Sequence, residues 1–124
     1  MRNLFVILVL SLSLAGCLPG GADFDQIGYF RAANANRVFV VHARGVSDVA
    51  EVRAHAEAQV HTEGRFTVVY VFNGASPPPD VVTLAGSYPA ANLAVAAIGG
   101  YRWRLDRSPD GRVEFRDCSV DFCG

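Results

Sequence analysis

Apolar and polar positions alternate in two short runs near the C-terminus, separated by a turn signal. Tyr101, Trp103 and Leu105 alternate with Arg102, Arg104 and Asp106, and Val113 and Phe115 alternate with Glu114 and Arg116. A period of two marks a strand with one face covered. Between the runs, Ser108-Pro109-Asp110-Gly111 suits a type I turn with Gly111 left-handed, which pairs Ser108 with Arg112. That register sets Leu105 opposite Phe115 and Asp106 opposite Glu114. A slip of one residue would mix the faces.

Upstream the pattern changes to unbroken β-favouring runs at 38–41 and 66–72. Such runs predict strands covered on both sides. Between them Val49, Val52, Ala56 and Val60 recur at helical spacing, with Ser47 or Asp48 as the cap and Gly64 as the stop. Strand, helix and strand joined closely make a parallel βαβ unit. A polyproline-like loop, 73–80, follows. Residues 80–85 suit either a helical turn or a short strand. A second helix starts at a Ser87 cap with Pro89 in its first turn and stops at Gly99-Gly100. Its alanine-rich, uncharged composition predicts a largely buried helix. Ahead of the first strand, Phe24, Ile27, Tyr29 and Phe30 are too apolar for a free linker, so this stretch is expected to dock on the core, and residues 32–36 to form a turn or frayed helix.

The predicted order is β-α-β, helix, β-β: an α/β two-layer sandwich with a mixed four-stranded sheet. This order resembles a thioredoxin-like core without its closing helix. In that resemblance residues 42–48, His-Ala-Arg-Gly-Val-Ser-Asp, occupy the place of the catalytic cysteines and contain none. Nor does Pro89 precede a strand, as the family's cis-proline does. The resemblance is one of element order and brings no redox chemistry.

The N-terminus changes where the chain is expected to reside. Met1-Arg2-Asn3 leads an apolar run from Leu4 to Ala15, shorter than the roughly 20 residues of a spanning helix. Such a segment has the layout of a secretory signal peptide. Leu14-Ala15-Gly16-Cys17 resembles the lipobox of bacterial lipoproteins. The resemblance implies cleavage before Cys17, a diacylglyceryl group on its sulfur and acylation of the new N-terminus, hence durable membrane anchoring. The alternatives are an ordinary signal peptide with an unmodified cysteine, or a buried N-terminal helix. Leu18 stands where an aspartate would favour inner-membrane retention, so in a Gram-negative cell the expected location is the outer membrane, facing the periplasm. The expected organisation is a signal peptide at 1–16, a lipidated tether at 17–23 and one α/β domain at 24–124.

Export fits the other cysteines. Cys118 and Cys123 are expected to form a bridge in an oxidising compartment. A redox-active pair is the alternative, although the spacing is wider than Cys-x-x-Cys. The chain has no lysine and a net charge of −1. Export and this charge balance exclude nucleic acid as the expected partner. No cofactor or metal is expected. His55 and His61 fall on different helix faces, and each follows a glutamate (Glu51, Glu57) at the spacing of a surface pair.

Candidate chemistry reduces to one edge. Ligands favour the carboxyl ends of parallel strands, where this chain would display His42, Arg44, Ser47 and Asn73. At such an edge His42 would serve as a general base with Arg44 holding an anionic group, or Arg44 and helix amides would hold a carboxylate or phosphate without reaction. The plain alternative is a histidine ending a strand and an arginine covering a turn. No activated nucleophile accompanies them, and no metal or phosphate-loop motif occurs. The expected function is therefore a lipid-anchored envelope protein whose small non-catalytic domain binds or scaffolds an envelope protein or a cell-wall component. A small periplasmic enzyme using the His42/Arg44 edge is the alternative. Arg102, Arg104 and Arg116, diluted by Asp106 and Glu114, are expected to form a mixed solvated face of the hairpin, with an anion or protein contact as the alternative.

Overall fold

A computed structural model describes residues 23–123; the lipobox and Cys17 lie outside them. Five strands and two helices follow in the order β1 (Phe24–Arg31), β2 (Arg37–Ala43), α1 (Val49–Glu57), β3 (Thr67–Phe72), α2 (Tyr88–Ile98), β4 (Trp103–Arg107) and β5 (Val113–Asp117). They form one mixed sheet in sequential order, β1 to β5. β2 and β3 are parallel and joined through α1, and every other neighbouring pair is antiparallel. The α/β class is as expected; the sheet has five strands where four were predicted.

The additional strand is β1. Its hydrophobic pattern is irregular because a bulge between Gln26 and Gly28 reverses which side chains face which way. Tyr29 packs under α1, whereas Ile27 and Phe30 pack under α2. β1 joins β2 through the turn at 32–36, closed by the Ala35 N–H donating to the Ala32 carbonyl at 2.9 Å.

The two helices cover opposite faces, so the domain has three layers instead of two. Phe39, Val41, Val69, Val71, Trp103 and Leu105 form one core with Val52 and Ala56 of α1. Val38, Val40, Val68 and Tyr70 form the other with Ala91 and Val95 of α2. Coverage on both sides is why β2 and β3 are apolar at nearly every position. It also leaves each helix a narrow footprint. α1 ends at its Ala58 cap, short of Gly64, and Val49 and Val60 are exposed. α2 buries only Ala91 and Val95, and Leu93 is 70% exposed, contrary to the expected burial.

Both caps are where the sequence puts them. Asp48 accepts from the Ala50 N–H and Ser87 from the Ala90 N–H, each satisfying a donor that the helix cannot. Residues 80–85 form a turn, with the Ala85 N–H donating to the Val82 carbonyl. The hairpin register is the predicted one: Leu105 opposes Phe115, Asp106 opposes Glu114, and the Ser108 N–H donates to the Arg112 carbonyl. Cys118 and Cys123 form a disulfide just beyond β5.

Candidate functional site

His42 sits near the carboxyl end of β2, with Asp25 of β1 opposite it on one side and Phe72 of β3 on the other. Alternation along β2 points it toward the α2 face, opposite to Ala43. The ring is 3% exposed. Its Nε2 donates to the Gly74 carbonyl at 2.7 Å. This bond ties β2 to the chain leaving β3.

Arg44 lies just beyond the strand. Its Nε meets Asp25 Oδ2 at 2.7 Å, and its backbone N–H donates to the Asp23 carbonyl. The ion pair is half-exposed, so screening by water keeps its contribution below about 1 kcal/mol. Asp25 is the member of this corner that the sequence reading missed, because 24–31 gives no clean strand signal. Ser47 is exposed and leaves the capping of α1 to Asp48. Asn73 is half-buried.

The corner therefore gathers His42, Arg44, Asp25 and Gly74 but wires them to one another or to backbone. A general base needs a proton donor in reach. Among the described residues, no hydroxyl, thiol or carboxyl side chain hydrogen-bonds to His42. Neither Ser47 nor Asn73 is brought into contact with it by a hydrogen bond.

The other histidines depart from the surface pairs expected of them. His55 stacks on Phe24 with ring centroids 4.1 Å apart, and burial lowers its pKa. Glu57 pairs with Arg53 instead of His61, whose Nδ1 lies 2.8 Å from Thr67 Oγ1. Among the described residues no cluster of three or more His, Cys, Asp or Glu side chains has metal-binding geometry.

On the hairpin, Arg104 meets Asp106 at 2.8 Å, while Arg116 meets Glu114 at 3.2 Å and Asp106 at 3.9 Å. The charges there offset one another, as a mixed face requires. Arg102 leaves that group, pairing with Asp117 at 2.9 Å and lying over the Trp103 ring. A separate groove of about 660 Å³ opens at the opposite end of the sheet from His42, between Phe30, Asn34, Asn36, Ser87, Tyr88 and Pro89. Comparison of the chain with known protein families, characterised proteins and solved structures finds no match.

Proposed function

We propose that this chain is a lipid-anchored protein of the bacterial cell envelope whose domain binds a partner and carries out no chemistry. The anchoring half rests on the lipobox-like Leu14-Ala15-Gly16-Cys17 and the charged, apolar segment before it. The non-catalytic half is supported by the surroundings of His42: its ring is buried and tied to the Gly74 carbonyl, and among the described residues no hydroxyl, thiol or carboxyl side chain hydrogen-bonds to it. The corner best suited by topology to chemistry acts as a structural tie. The disulfide-closed ring at 118–123 offers a contact surface instead, since it holds Val120 (79% exposed) and Phe122 (87% exposed) out to solvent on a constrained loop. Preorganised apolar side chains lower the entropy cost of binding another protein.

Two measurements test the two halves. Cys17→Ser should accumulate an unlipidated precursor that retains its signal; normal mature lipoprotein from that variant would refute the anchor. Screening the full chain against hydrolase substrates should reveal no activity that depends on His42. An activity lost in His42→Gln, with the thermal midpoint unchanged, would establish the enzyme in place of the binding domain.

A further inference from the structure

A row of arginines forms at the end of the sheet opposite His42. Strand register sets Arg31, Arg37, Thr67 and Arg107 side by side across β1, β2, β3 and β4. They share the α1 face, because Tyr29, Phe39, Val69 and Leu105, each two residues along the same strand, pack in the core under α1. The segment after α1 brings His61 and Thr62 to this row.

Among the described residues, the side-chain hydrogen bonds of Arg37 and Arg107 are all with neutral groups. Arg37 Nε donates to the Tyr29 hydroxyl at 3.1 Å, and its Nη1 donates to Thr62 Oγ1 at 2.6 Å. Arg107 Nη2 donates to the Glu57 carbonyl at 3.3 Å. Among the described residues, no carboxylate lies within ion-pair distance of Arg31, Arg37, Arg107 or His61. Arg37 is nonetheless only 8% exposed. Like charges facing each other across strands repel, and a buried cation without a counterion is costly. The hairpin treats its arginines differently, placing Asp106 and Glu114 among them.

Of the four buried side-chain atoms without a hydrogen-bond partner among the described residues, two, His61 Nε2 and Arg107 Nε, lie here; the others are Trp103 Nε1 and Arg116 Nε. Burial, together with repulsion from Arg107 and Arg37, lowers the His61 pKa and favours its neutral form. His61 Nδ1 lies 2.8 Å from Thr67 Oγ1; in the tautomer where that hydroxyl donates, the ring proton sits on Nε2 and needs an acceptor. A single anion would answer both orphaned donors and the missing countercharge.

We propose that this cluster is an oxyanion site that takes a phosphate group, held by Arg37, Arg107 and His61. Guanidinium forks match phosphate oxygens in pairs. Arg37 spends Nε and Nη1 on Tyr29 and Thr62, and Arg107 spends Nη2 on the Glu57 carbonyl, so each offers its remaining N–H groups; single donors from separate residues suit a tetrahedral dianion better than a planar carboxylate. The site is independent of both the His42 corner and the lipid anchor. Its phosphate comes either from a free phosphate or phosphomonoester, or from a lipid headgroup; the recognition chemistry is the same.

The test follows the ring nitrogens of His61 by NMR in the full chain, labelled with ¹⁵N-histidine and purified in detergent. Inorganic phosphate, added against chloride of equal ionic strength, probes the free ligand. Dihexanoyl phosphatidic acid, with dihexanoyl phosphatidylcholine as control, probes the headgroup. A saturable His61 shift with inorganic phosphate assigns a free ligand, and one with phosphatidic acid alone assigns a headgroup; either upholds the site. Arg37→Gln and Arg107→Gln should each weaken binding about tenfold or more, the value of one charge-assisted contact. Arg116→Gln, on the other face, should leave it unchanged. Arg107 is only partly buried, so its variant keeps the test alive where Arg37→Gln fails to fold. No saturable response to any probe, or undiminished affinity in Arg107→Gln, would overturn the proposal.

Discussion

Gly28→Ala should destabilise the domain far more than one added methyl group suggests. Gly28 sits at the β1 bulge, directly beneath the turn at 80–85. A Cβ there would stand 2.6 Å from Asp80 Oδ1 and 2.7 Å from Val82 Cγ2. Neither neighbour can retreat cheaply. Asp80 Oδ1 accepts from the backbone N–H groups of Val82 and Thr83, both at 3.1 Å, and the Val82 side chain is fully buried. The same turn is stitched to β1 by the Tyr29 N–H donating to Thr83 Oγ1. Overpacking costs about 1–3 kcal/mol, and a displaced hydrogen bond about 1 kcal/mol. The lower entropy of an unfolded alanine returns about 0.4–1 kcal/mol. The net loss is about 1–3.5 kcal/mol, or a fall in Tm on the order of 5–25 °C for a domain of this size. Thermal unfolding followed by circular dichroism reads it directly. Pairing Gly28→Ala with Val82→Ala should show the two losses adding to less than their sum, by about 1 kcal/mol, because the second change removes the atom in the way. A Gly28→Ala midpoint within about 2 °C of the parent would refute the close approach, and strict additivity would refute Val82 as its cause.

Reducing the Cys118–Cys123 bridge should cost at most about 2 kcal/mol, since so short a loop restricts the unfolded chain little. Thiol titration of the oxidised, denatured chain should find neither cysteine free, and a larger stability loss on reduction would mean the ring supports more than the terminus. Asp117 should set part of the acid limb of stability. Hydrogen bonds from the Arg102 side chain, then from the Ser119 hydroxyl and backbone N–H, hold its carboxyl down at about 2. A carboxyl depressed in the folded state stabilises it above the unfolded value of about 3.9, and that contribution is lost as pH falls from there through the folded value. Urea midpoints should therefore drop less steeply across this window in Asp117→Asn than in the parent, and parallel curves would contradict the assignment.

What the sequence made legible was what short-range physics decides. The β4–β5 register followed from alternation and a turn acting together, two constraints that agree only in one alignment. The caps at Asp48 and Ser87 are likewise local chemistry. β1 was hidden because its bulge breaks the period of two and both its faces are covered, so Ile27, Tyr29 and Phe30 show no stripe. The length of α1 was overread because Val49 and Val60 complete a stripe on paper. Val52 and Ala56 are the residues of α1 buried against the sheet, and nothing in the periodicity tells a covered valine from an exposed one. The number of layers depends on which face each helix takes, a choice made by the connections and invisible to helical spacing.

The same hidden strand explains why the expected edge looks inert and the opposite edge does not. The preference of ligands for the carboxyl ends of parallel strands assumes that those ends are left open. Here β1 lies antiparallel beside β2, and its start brings Asp25 beside His42 and within reach of Arg44. The carboxylate that neutralises one end is thus supplied by a segment that reads as a linker. Its other terminus does the reverse, setting Arg31 against Arg37, where the strand row already carries Arg107. One antiparallel addition therefore compensates the charge at the carboxyl edge and compounds it at the other. Single residues cannot reveal this, because Arg31, Arg37 and Arg107 are far apart in sequence and become neighbours only once three strand pairings are known. Among the described residues this row of arginines has no carboxylate within ion-pair distance, which is the observation behind the proposed phosphate site.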